Sequence, residues 1–111
     1  MPLYLRLRDK QRRAEQARQS LIKGLIEISE GRFADAEKEL LKQAPHSDTT
    51  MLNYLIAARA AQQQGAYDRR DEYLKLAQQT SPDANLAVGI TQAELQMAHK
   101  QYDQALATLN Q

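Results

Sequence analysis

At 111 residues with a formal net charge of +1, the chain is one domain, with room for a real core but little volume to spare against its surface. Hydrophobic residues make up 42% of it, with one Phe and no Trp, so the core must be assembled from Ala and Leu, which suits close helix packing better than a β-sandwich. The absence of Cys excludes a disulfide framework and a thiolate metal site. Gly and Pro together number seven and β-branched runs are missing, so the expected class is all-α.

Charge is unevenly spread. Residues 1–18 carry Arg6, Arg8, Lys10, Arg12, Arg13 and Arg18 against Asp9 and Glu15, a net of +4, while the remainder carries −3. No apolar run approaches the roughly eighteen residues of a membrane span, and Leu3 to Leu7 is too short for a signal-peptide core. The chain itself therefore reads as soluble.

In chain order, nothing obliges a break between about Tyr4 and Glu30 except Gly24, which predicts one long helix of about 40 Å. Its first half is charged; its second carries Leu21, Ile22, Leu25, Ile26 and Ile28. Gly31-Arg32 interrupts, and Phe33 to Ala44 forms a second helix with Phe33, Ala36, Leu40 and Leu41 as its buried stripe. Pro45 stops it, because the residue before proline avoids the helical region. Ser47-Asp48-Thr49 offers an N-cap for a third helix ending at Gln64. Gly65-Ala66 breaks the chain again, since glycine takes a positive φ at no steric cost. A fourth helix starts at Tyr67, and Ser81-Pro82-Asp83 repeats the capping turn. A fifth helix is expected from about Ala84 to His99 and a sixth from Tyr102 to Leu109.

These segments repeat. Phe33, Tyr67 and Tyr102 are 34 and 35 residues apart. Gly31, Gly65 and Lys100 precede them by two, and the small residues Gly24, Ala58 and Ala93 by nine. Leu21, Leu55 and Ile90 precede them by twelve, and Leu40, Leu74 and Leu109 follow by seven. This is the tetratricopeptide period. Gly24, Ala36, Tyr54, Ala105 and Pro82 fit its pattern, while Arg70 occupies a small-residue position. A small residue lets the two helices of a pair approach, and the aromatic after the turn wedges between pairs. The expected architecture is a basic lead-in over residues 1–18 and a repeat domain over 19–111. That domain holds about three antiparallel helix pairs stacked as a right-handed superhelix.

The run Asn53-Tyr54-Leu55-Ile56-Ala57-Ala58-Arg59-Ala60-Ala61-Gln62-Gln63-Gln64-Gly65 resembles the HemY family of bacterial inner-membrane tetratricopeptide proteins. So do the Glu30-Gly31 turn before an aromatic, the basic lead-in from Arg6 to Arg18, and Ile90-Thr91 with Leu95-Gln96-Met97-Ala98. The resemblance covers the chain from about Arg8 onward. It implies two membrane helices ahead of the basic segment and further repeats beyond. It also implies an inner-membrane location with the soluble region on the cytoplasmic side, and an association with late haem biosynthesis without an established catalytic activity. A flavin-dependent oxidase shares the family's name, but its G-x-G-x-x-G turn is missing here.

Catalysis is not expected. His46 and His99 have no carboxylate or hydroxyl at a spacing that forces contact, and there is no H-E-x-x-H, P-loop or nucleophile elbow. The adjacent carboxylates Glu37-Glu39 and Asp71-Glu72 read as solvated helix faces. No metal site and no cofactor is expected. The resemblance makes a haem or porphyrin carrier with His46 or His99 as axial ligand the alternative function. For the basic segment Arg6, Arg8, Lys10, Arg12 and Arg13, nucleic acid is disfavoured because no aromatics interleave with the cations. A segment that follows a membrane span would instead lie on anionic lipid.

The leading expectation is a protein-binding scaffold whose partners include enzymes of late haem synthesis. By repeat register the first helix of each pair lines the concave surface. This points to Arg18, Ile22 and Leu25 in the first pair, to Leu52, Ile56, Arg59 and Gln63 in the second, and to Ala87, Thr91 and Glu94 in the third. Such a mixed lining suits a helix or extended segment of another protein. The last pair has no covering helix, which opens that end to self-association.

Overall fold

The computed structural model describes residues 3–46, 49–80 and 84–110, and all of their regular structure is helical. Helix α1 spans Leu3–Ser29, α2 Phe33–Gln43, α3 Thr50–Gln63, α4 Tyr67–Gln79 and α5 Ala84–Leu109, with a 3₁₀ turn over Ala44–His46 after α2. Helix α2 folds back along α1 and α4 along α3; the first hairpin packs on the second through α2 against α3, and the second packs on α5 through α4.

The two hairpin turns are the same motif. At the first, Arg32 N–H donates to Glu27 O at 2.8 Å and Gly31 N–H to Ile28 O at 3.0 Å. At the second, Ala66 N–H donates to Ala61 O at 2.9 Å and Gly65 N–H to Gln62 O at 2.9 Å. Each glycine sits at positive φ, +78° for Gly31 and +73° for Gly65, which lets two orphan carbonyls at the helix end find donors. The four residues of one turn map onto the other at a spacing of 34.

The third expected turn is not made, and the six-helix reading is corrected here. Lys100 stands where the other repeats have glycine, and a Cβ disfavours the left-handed backbone those turns use. Met97 to Thr108 contains no Gly or Pro, so α5 runs unbroken through His99–Gln101 to Leu109. The described residues form two closed hairpins and one long helix.

Close approach within a pair follows the small-residue column. Gly24 faces Leu40, and a Cβ on the glycine would lie 2.8 Å from Leu40 Cγ. In the second pair Ala58 and Leu74 are both buried in the core. In the third, Ala93 and Leu109 are exposed, and no return helix among the described residues covers α5. The core runs from Leu21 and Leu40 through Leu55, Ile56 and Ala61 to Val88 and Leu95.

Of the expected caps, Ser47, Asp48 and Ser81 to Asp83 lie outside the described residues. Thr49 takes the N-cap position of α3 without capping it: its hydroxyl donates to Asn53 Oδ1 at 2.9 Å. Asn53 is fully buried and donates in turn to Leu40 O at 3.0 Å, tying α3 to the preceding helix.

Candidate functional site

Helix α3 touches both α1 and α5, so the first helices of successive pairs lie side by side and share one surface. On it the structure joins two of the expected site residues. Arg59 Nη2 reaches Glu94 Oε2 at 2.6 Å across α3 and α5, with both side chains about half exposed. Leu52 is 40% exposed and Gln63 is also open to solvent. Ile56 is placed differently: at 8% exposure it belongs to the core, and Thr91 at the equivalent position of α5 is buried too. On α3 and α5 the exposed residues of this surface are therefore Leu52, Arg59, Gln63 and Glu94, and on α1 the expected Arg18, Ile22 and Leu25 are exposed as well.

Two polar clusters tie the helices together, and hydrophobic periodicity signals neither of them. The sequence places Glu37 on a solvated face, yet it is buried between α2 and α4. Arg69 Nε and Nη2 donate to its two oxygens at 2.9 and 3.1 Å, Gln64 Nε2 donates at 2.8 Å, and the Tyr73 hydroxyl donates as well. Burial pushes the Glu37 pKa up. The hydrogen bonds from Arg69, Tyr73 and Gln64, with the charge of Arg69, more than offset that and leave it below the usual carboxylate range. Burial and donation to this carboxylate push the Tyr73 hydroxyl up to about 12. A period argument places position 37 on a helix face but cannot know that α4 returns a cation there.

The second cluster explains Arg70 in its small-residue position. Its guanidinium donates to Gln62 Oε1 at 2.8 Å and to Asp71 Oδ1 at 2.9 Å, and lies 5.1 Å over the Tyr67 ring. Gln62 also donates to Leu95 O at 2.9 Å, so one glutamine joins α3, α4 and α5. Tyr67 itself is half-buried and stacks on His99, with centroids 3.9 Å apart and planes 8° from parallel. Beside this stack is a cleft of about 490 Å³, lined by Gln62, Gln63, Gln64 and Tyr102 among others.

His99 also approaches Asp103 at 3.4 Å. Among the described residues no group of three or more His, Asp or Glu could hold a metal ion. The cations Arg6, Arg8, Lys10, Arg12 and Arg13 are exposed on the N-terminal half of α1, which projects beyond the first hairpin. No helix among the described residues is long and apolar enough to cross a membrane.

Residues 1–65 match the family model described as HemY protein N-terminus. The chain is also 33% identical over 90 residues to Protein HemY of Escherichia coli K12, and equally to those of Escherichia coli O157:H7 and Shigella flexneri. Each match covers 81% of this chain but only 23% of the relative's length. No solved structure matches the chain.

Proposed function

The chain belongs to the HemY family, and on that premise we propose that it is the first part of a tetratricopeptide-type scaffold that binds another protein along the α1–α3–α5 surface. The family resemblance supports the setting, a protein anchored in the bacterial inner membrane and associated with late haem biosynthesis; in our reading it serves there by holding a partner. The basic first half of α1 then lies next to the anionic membrane surface.

The observation that supports this reading is the Arg59–Glu94 pair, 2.6 Å long and half exposed between two successive repeats. A pair this open contributes about 1 kcal/mol or less to stability. It is better suited to presenting charge of both signs beside Leu52, where an amphipathic segment can read it.

The test compares Arg59→Glu with the double exchange Arg59→Glu/Glu94→Arg in the membrane-anchored full-length protein. The helical signal should persist in both. Partner capture should fall on the order of tenfold in the single variant if Arg59 meets an acidic group of the partner. It should stay low in the exchange, which restores the internal pair but not the order of charges. Lys75→Glu, exposed on the outer helix α4, should bind normally. Wild-type capture by all three variants would overturn the surface. A Soret shift on haem titration, lost with His99→Ala, would replace the scaffold with a carrier.

A further inference from the structure

Successive pairs are joined at the same repeat positions by different chemistry. At the second joint, Gln62 Nε2 of α3 donates to Leu95 O of α5 at 2.9 Å, and its Oε1 accepts from Arg70 Nη1 of α4 at 2.8 Å. Arg70 is buried there. At the first joint, the positions thirty-four residues earlier hold Ile28, Ala36 and Ala61, all apolar. Both alanines are fully buried, and Ile28 packs against the core. An apolar contact has no preferred direction and tolerates sliding, whereas a hydrogen bond is lost within about 1 Å of displacement.

The polar joint sits beside the exposed ion pair. Arg59 and Gln62 are three residues apart on α3, one helical turn, and Glu94 and Leu95 are neighbours on α5. The carbonyl that Gln62 grips therefore belongs to the residue next to the one that meets Arg59 at 2.6 Å. A one-residue slide of α5 along α3 moves it by about 1.5 Å, enough to break the first contact and draw Glu94 from the second.

We propose that Gln62 is the positioning residue of the α3–α5 surface: anchored on Arg70, it holds the Leu95 carbonyl, fixes the register of α5 against α3 and keeps Glu94 beside Arg59. The importance of that register rests on the binding surface proposed above. Arg70 fits the same role. Burying a guanidinium costs more than burying the alanine at position 36, and it supplies orientation rather than stability.

The test uses two variants. Gln62→Leu removes both bonds; Gln62→Glu keeps an acceptor for Arg70 and removes only the donor to Leu95 O. The chain has no Cys, so introduced pairs can carry spin labels for distance measurement by electron paramagnetic resonance. Lys75→Cys with Lys100→Cys reports α5 against α4, and Lys42→Cys with Lys75→Cys reports one hairpin against the other; all three lysines are exposed. In both variants the 75–100 distance should broaden or shift, while the 42–75 distance and the helical signal stay as in wild type. The coupling between Arg59 and Glu94 is read from a double-mutant cycle of Arg59→Ala and Glu94→Ala in urea melts. It should be present with Gln62 and lost with Gln62→Glu, whereas a residue that only stabilised the second hairpin would leave it intact. An unchanged 75–100 distance in both variants overturns the inference. So does a coupling that survives Gln62→Glu, or one that is absent in wild type. Neither readout involves a partner, so failure here leaves the scaffold reading standing.

Discussion

Leu40 seats its side chain directly over Gly24, and a Cβ on the glycine would lie 2.8 Å from Leu40 Cγ and 2.9 Å from Cδ2. Sixteen residues of chain separate them, and their contact sets the spacing of the first hairpin. Gly24→Ala gains up to about 1 kcal/mol of helix propensity but must displace a fully buried leucine, at a cost of about 1–3 kcal/mol. The expected outcome in a denaturant melt is a net loss. Gly89 is the contrast: it lies inside α5 with nothing within 4 Å of its ideal Cβ. Gly89→Ala should stabilise α5 by about 0.5–1 kcal/mol. Gains at both positions would show that α1 and α2 are not in close contact.

The hairpin glycines should behave as a matched pair. Gly31→Ala and Gly65→Ala meet no neighbour, yet each forces a side chain into positive φ, at a cost of about 1–2 kcal/mol. Equal losses in thermal melts are expected, since the two turns have the same hydrogen bonds. A loss at one only would mean that the turns are not equivalent.

The Glu37 cluster makes stability depend on pH at both extremes. The folded pKa of Glu37 lies below the ordinary glutamate value of 4.5. Its contribution is therefore complete above that value and lost as pH falls through the folded pKa. Tyr73 is raised from 10.0 to about 12, so its contribution is complete below pH 10.0 and lost as pH rises toward 12. Tyr73→Phe should abolish that alkaline component in urea melts compared with wild type. An unchanged alkaline slope would show that the hydroxyl does not meet Glu37. Arg69→Glu should destabilise visibly by facing one carboxylate with another.

Tyr67 joins α4 to α5 through its stack on His99 and its contact with Arg70. Its ring is half-buried, so Tyr67→Ala should cost about 2 kcal/mol, less than the 3–5 typical of a fully buried large aromatic. Protection of α5 amides from hydrogen exchange should fall more than that of α1. Uniform change along the chain would place the wedge elsewhere.

The sequence by itself determined the helical class, the positions of four helices and both hairpin turns. Glycines at a 34-residue spacing and the aligned small and apolar columns are local signals that need no knowledge of neighbours. It also brought Arg59 and Glu94 onto one surface, because repeat register carries from one pair to the next. Tertiary structure decided the rest. Ile56 looks like a groove residue by register, but the preceding hairpin covers it. Glu37 looks solvated, but α4 returns Arg69 and Tyr73 to its carboxylate. The apolar stripe of Tyr102 to Leu109 resembles a return helix, yet without glycine at position 100 the backbone keeps its helical bonds and the stripe stays exposed. Periodicity reports which face of a helix is apolar; only the partner's position decides whether that face is covered.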